Sequence, residues 1–479
     1  MDIPPKRIGE AKTPSTCPPP KAAGITRSPY RLLQTILSLQ GLHLMAARNQ
    51  LITQDEGTSL YLIYLSLRLP SKSIARFRCV SKLWGSMLRQ PYFTKLFLTR
   101  SSARPHLLIA VEQEGEWSFF SLPHPQNYHG KSSLVVAADF HMNFYEDTRP
   151  CHCSYASGLI YFPNMLIPKK GDNEVRDICN PSTGQYAYVM LPPGLRLSMT
   201  SAGFLGFDPI DKQFKILLTI FKFLDNETDH HILTLGAETV GWRKIQCPLS
   251  YILHSEETIC INGVLYYLAT PINGERYDVL VCFDVRSEKF MFIRLKFMFR
   301  RSSTKLINYK GKLGVINQEY AYDGGFPLEL SMWVLEDVLK EEWSTYVYTL
   351  RADNKVVKVK YDLSVVGVTA SGEIVLVKTR ATNPFYVFYF NPESNNLLSV
   401  KIKGFRVDQG WYASQNIYAF VDHVEDLEFN IMKTTYAAKS TLRKGNQVGT
   451  VFNYPQPDLC TLESANKFNA LCLLDDDDT

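Results

Sequence analysis

With 479 residues, 45% of them hydrophobic and 21% charged, the chain is long enough for two or three folded domains and is not of disordered composition. A net charge of +5 is too small for a nucleic-acid footprint, and no apolar run approaches the ~20 residues that a membrane helix needs. The 10 cysteines are scattered behind a Pro- and Lys-rich start rather than a secretory leader, so reduced thiols in an intracellular protein, nuclear or cytoplasmic, are expected.

Residues 1–54 read as a disordered tail, because "PPKRIGEAKTPSTCPPPKAAG" offers nothing to bury. Within it, "YRLLQTILSLQGLHLMAA" has helical spacing, and its basic, acid-poor composition also fits a loose organelle-targeting pattern. Residues 55–100 read as a small helical unit. "SLYLIYLSLRLP" closes at Pro70, which a helix does not run through comfortably. Beyond it Ile74, Phe77, Val80, Leu83, Trp84, Met87 and Leu88 recur at spacings of three and four, with Ser81 as an N-cap that restarts the helix and Pro91 as its expected end. A unit this small is steadier with a partner.

After Pro105 the pattern becomes that of strands, and 26 Tyr and 27 Phe suit pleated, half-buried surfaces. "LLIAV", "WSFFSL" and "SLVVAADF" come first, and a two-part phrase then recurs through residues 105–430. One part is a Gly turn entering an apolar strand: "SGLIYF", "NGVLYYLA", "KGKLGVI" and "SGEIVLV". The other is an apolar strand ending in Asn or Asp and a polar turn: "CNPSTGQY", "FDPIDKQF", "FDVRSEKF" and "FNPESNNL". Recurrence at this period predicts a β-propeller or a related repeated sheet, with Trp242 and Trp343 on outer strands; a β-sandwich has no reason to repeat so. Residues 431–479 lose the phrase and read as an irregular tail ending in "DDDDT".

Chemistry does not announce itself. There is no phosphate-binding Gly loop, no zinc-protease helix and no nucleophile elbow, and "VTASGE" reads as a hairpin turn. "CHC" at Cys151–Cys153 is the one dense group of soft ligands; His230 and His231 could complete a zinc site only across the fold, and ordinary strand residues with a buried thiol are the preferred reading. No catalytic residue, metal or cofactor is therefore nominated, and no basic tract interleaves with the aromatics to bind nucleic acid.

"RLPSKSIARFRCVSKLWGSMLRQPYFTKLFLTRS" resembles the F-box of plant F-box proteins that carry an F-box-associated, kelch-like (type 3) propeller domain, and "NPSTGQY", "GFDPIDKQFKIL" and "INGVLYYLA" resemble that domain. The resemblance covers roughly residues 59–430 and implies a mainly β protein with a small N-terminal α unit: a helical F-box followed by a β-propeller-like domain. It further implies a non-catalytic substrate receptor of an SCF-type cullin-RING ubiquitin ligase. The F-box would bind a Skp-type adaptor through Leu69, Pro70, Ile74, Val80, Leu83 and Trp84, and the propeller would hold a target protein. A non-ligase scaffold and a kelch-like propeller enzyme are the rival readings. The chain departs from the family at its F-box start, where Thr58, Leu60 and Tyr64 replace the usual Pro, acidic residue and Glu. The expected consequence is a frayed first helix and weakened adaptor binding.

Overall fold

The computed structural model describes residues 66–429 except 114–115, 126–132, 146–152, 164–174, 191–200, 223, 238–240, 273–276, 296–303, 322–325, 352–361, 381–383 and 405–414. The two tails, the segment before Ser66 and the pair Cys151–His152 lie outside the described residues.

Three helices come first: α1 (Ser71–Val80), α2 (Lys82–Met87) and α3 (Pro91–Ser102). Six four-stranded antiparallel blades follow, which makes the chain mainly β. Blade 1 contains β1 (His106–Gln113), β2 (Glu116–Pro123) and β4 (Asp139–Tyr145), while β3 (Ser133–Ala137) leaves it. Blade 2 is β5 (Ser154–Ala156), β6 (Leu159–Phe162), β7 (Val175–Asn180) and β8 (Gln185–Met190). Blade 3 is β9 (Ser201–Asp208), β10 (Gln213–Lys222), β11 (Glu227–Thr234) and β12 (Arg243–Ile245). Blade 4 is β13 (Tyr251–Ile261), β14 (Val264–Pro271), β15 (Val279–Asp284) and β16 (Lys289–Arg294). Blade 5 is β17 (Thr304–Tyr309), β18 (Lys312–Tyr320), β19 (Leu328–Asp337) and β20 (Glu342–Leu350). Blade 6 is β21 (Leu363–Val368), β22 (Ile374–Lys378), β23 (Phe385–Asn391) and β24 (Asn396–Lys403). The last strand, β25 (Gln415–His423), returns to blade 1 as its innermost strand.

The ring is therefore closed by strands from both ends of the domain: β25 pairs with β1 in a register that sets Leu108 opposite Phe420. A second stitch lies beside it. β3 pairs parallel with β24 as a fifth strand of blade 6, and the chain then turns back at Ala138 to pair β4 with β2. "SLVVAADF" reads as one strand, yet it serves two neighbouring blades.

Each blade buries both faces against its neighbours, which is why many of its strands are apolar throughout rather than alternating. On β1, Leu107, Ile109 and Val111 pack towards blade 6, while Leu108 and Ala110 pack towards blade 2 around Trp117 and Phe162. On β22, Val375 and Val377 face blade 1, whereas Ile374 and Leu376 face blade 5.

The repeated phrases build the turns at one end of the ring. Ser157–Gly158, Asn262–Gly263 and Lys310–Gly311 join a first strand to a second with two successive left-handed residues, the form that matches strand twist. The Asn/Asp phrase makes wider turns, in which the carboxyl or amide oxygen accepts backbone N–H groups. Asn391 takes those of Glu393 (2.9 Å) and Ser394 (3.0 Å), and Asp208 takes that of Ile210 (2.9 Å). Four residues after each such Asn or Asp the backbone is left-handed, as at Lys212, Glu288 and Asn395. "FDPIDKQF" joins the first and second strands of blade 3, whereas "CNPSTGQY", "FDVRSEKF" and "FNPESNNL" each join a third to a fourth. Trp343 lies on the outer strand β20, and Trp242 immediately precedes the outer strand β12.

Candidate functional site

The helical unit is two short helices folded on a third. Pro70 is the N-cap of α1 in an extended conformation, with no acidic residue in the first turn to favour the helix dipole. Ser81 breaks the helix, and its hydroxyl accepts the Trp84 N–H at 3.2 Å to start α2. Pro91 does not end a helix as expected. α2 stops at Met87, and Pro91 occupies the first turn of α3, where its missing N–H is no loss. Gly85 is required by the close packing of α2 on α1, since a Cβ there would lie 2.9 Å from the Arg78 carbonyl oxygen.

The six residues assigned to adaptor contact divide into two groups. Ile74 is fully buried, and Trp84 is buried with its ring stacked on Phe77 at 5.2 Å. Leu88 and Phe93 are buried as well, so the role of Ile74 and Trp84 in the free chain is core. Leu69 and Val80 are half-buried, Pro70 is exposed and Leu83 is 49% exposed. Tyr92, missed by the sequence reading, is 62% exposed beside Pro91; an aromatic at a helix start gives no periodic signal.

The helices are seated on blade 1 and on the segment that follows β25. Ser71 Oγ donates to Glu425 Oε1 at 2.7 Å, and the Glu425 backbone N–H donates to Ser101 Oγ at 2.7 Å, so α1 and α3 grip the same residue. Lys72 lies 4.6 Å over the Phe140 ring and donates to the Phe140 carbonyl. Burial pushes the Glu425 carboxyl up, against the opposing hydrogen bonds from Ser71. Beneath this seat, burial holds the His141 imidazole down at about 4 and His423 at about 3. His423 Nδ1 lies 3.1 Å from the Tyr155 hydroxyl.

Proton linkage follows from these histidines and from His230, also near 4 by burial. The unfolded chain takes up protons near the ordinary value of 6.5 that the folded chain refuses, so this stabilisation is complete above that pH and is lost as pH falls towards the folded values. Glu425 acts in the opposite sense, opposing folding at neutral pH and relaxing only as it protonates. We expect urea-unfolding free energies to fall below pH 6.5 by up to about 1.4 kcal/mol per pH unit for each of the three histidines. His141→Gln and His423→Gln should each flatten that slope; an unchanged slope would contradict this assignment.

Two further features bear on chemistry. A cavity of about 590 Å³ runs along the ring axis between the inner strands, lined among others by Thr258, Ser364, Ile417 and Tyr418. Lys305 pairs with Glu257 there, linking blades 5 and 4. Among the described residues no group of three or more His, Cys, Asp or Glu could hold a metal ion. His230 is committed to the Tyr251 hydroxyl at 2.6 Å between blades 3 and 4, whereas Cys153 packs between blades 1 and 2. His231 follows on the same strand and so points to the opposite face of the sheet.

Residues 106–424 match the family described as F-box associated beta propeller domain. The chain belongs to that family. An F-box protein of Arabidopsis thaliana is 73% identical over 376 residues, 78% of this chain and 93% of the relative. A second from the same plant is 51% identical over 444 residues (87% and 92%), and F-box only protein 12 is 50% identical over 389 residues (79% and 83%). Helices α1–α3 thus precede an F-box-associated propeller at the place where the F-box motif was read.

Proposed function

We propose that the chain is the substrate-receptor subunit of an SCF-type cullin-RING ubiquitin ligase. Its F-box helices dock on a Skp-type adaptor, and its propeller presents a target protein. The observation that carries this reading is the seat: Ser71 and Ser101 both bind Glu425, so the helices are held to the propeller while Pro70 and Leu83 stay at the surface. A receptor needs that fixed spacing to bring a target to the transfer chemistry of other subunits. Three thiols of the propeller support a non-catalytic role, since burial raises Cys247 and Cys260 to about 11 and Cys282 to about 12, the reverse of an activated nucleophile.

Target binding falls to the end of the ring away from the helices. The helical end carries tight turns, whereas the sequence between β6 and β7, β8 and β9, β20 and β21, and β24 and β25 is longer. Long connections on a rigid scaffold are where binding residues concentrate. Affinity capture of the full chain from plant extract, scored by mass spectrometry, should recover adaptor and cullin. Replacing residues 163–174 by a Gly/Ser linker should keep both and lose the target. Absence of cullin from the wild-type capture would contradict the proposal.

A further inference from the structure

β20 is the outer edge of blade 5, and among the described residues no strand pairs with its outward side. Other blade edges are shorter, charged or covered. β3 covers blade 6, β12 has three residues, and the six-residue β16 begins with Lys289 and ends with Arg294. β20 has nine residues, and from Trp343 to Leu350 it carries neither charge nor proline. Val347 is 59% exposed and Tyr346 37%. Such an edge is a template for another strand, and soluble proteins commonly interrupt it with a central charge or proline.

Here the charges stand only at the ends: Glu341 and Glu342 at the start, preceded by Lys340, which is paired with Asp337, and Arg351 directly after the last residue. That order makes the strand complementary to itself. We propose that β20 pairs antiparallel with β20 of a second copy, about a two-fold axis at Tyr346, the midpoint of the strand. Opposed residues in such a pairing project to the same face. Thr345 then stands opposite Val347, Ser344 opposite Tyr348, and Glu342 opposite Leu350, next to Arg351, twice over. A parallel pairing would set like charges together. The aromatic side is ordered in advance: Tyr346 and Tyr348 lie parallel at 6.3 Å, supported by Tyr309 and Phe390, so little side-chain freedom is lost on pairing. The chain itself shows that a blade edge accepts an added strand, since β3 pairs along five residues of β24.

Sedimentation of the full chain, 54.7 kDa as a monomer, tests this. Two nine-residue strands make a small interface, so dissociation at ~10 μM is expected, with the mass rising towards twice the monomer above that concentration. Val347→Lys, at an exposed position, should give a monomer with an unchanged unfolding midpoint. Arg351→Glu should weaken the dimer about tenfold, and Glu341→Lys with Glu342→Lys should do the same. All three changes together should restore it. A wild-type monomer at ~100 μM, whether the edge is free or covered by a segment of the same chain, would overturn the proposal. So would a dimer insensitive to Val347→Lys, or a triple variant no tighter than Arg351→Glu.

Discussion

Leu83→Asp is expected to abolish adaptor binding while leaving the fold intact, whereas its neighbour Trp84→Ala should unfold the helical unit. Leu83 is 49% exposed, so a carboxylate there stays hydrated in the free chain. Buried against an adaptor it would be a desolvated, unpaired charge, and losing an apolar anchor of this kind costs 2 kcal/mol or more, ~30-fold in affinity or beyond. Trp84 is 7% exposed and stacked on Phe77, and truncating such a residue costs ~3–5 kcal/mol. That is most of what three short helices hold. The two variants therefore separate by method. Calorimetric titration with the adaptor fails for both, but helical circular dichroism and the thermal transition are lost only for Trp84→Ala. If Leu83→Asp binds normally, the exposed apolar positions of α2 are not the contact.

The second large effect is expected at ring closure. A chain ending at Lys403 lacks β25 and should lose cooperative unfolding altogether. Its loss strips β1 of its inner partner and takes Ile417, Ala419 and Val421 from the core between blades 6 and 1, and Tyr418 and Phe420 from that between blades 1 and 2. It also removes Glu425, and with it the seat of both α1 and α3. Ile417→Asp is the milder form, placing a carboxylate in a 9% exposed apolar site. It should cost about 4 kcal/mol, a large share of the ~5–15 kcal/mol a domain possesses. Urea denaturation followed by tryptophan fluorescence reads both. A truncated chain that still unfolds in one sharp transition would show that β3, not β25, closes the ring.

Turn chemistry made the propeller legible. An Asn–Gly pair or an Asp-led polar turn states its geometry within four residues, so the repeats could be recognised without any contact being known. Blade number was less legible, because the closing strand pairs residues 106–113 with 415–423, and the parallel pairing of β3 joins residues 133–137 to 399–403. No local pattern encodes such distances. In the helices, spacing found the apolar positions but could not divide them. Ser81 sits at φ −158° and ψ 163° between α1 and α2, and this shifts the phase. Ile74, Phe77, Trp84 and Leu88 are then buried, while Val80 and Leu83 turn outwards. The seat at Glu425 was invisible because its partners, Ser71 and Ser101, are ordinary polar residues hundreds of positions away.

Direct titration of the full chain with a purified Skp-type adaptor bears on the central claim more than any other measurement. The account predicts a one-to-one complex. It also predicts about tenfold tighter binding for the chain carrying Thr58→Pro, Leu60→Asp and Tyr64→Glu, because each restored feature of a helix start contributes roughly 0.3–1 kcal/mol. No complex with either chain, at concentrations where both are folded, would contradict the assignment of these helices to an adaptor.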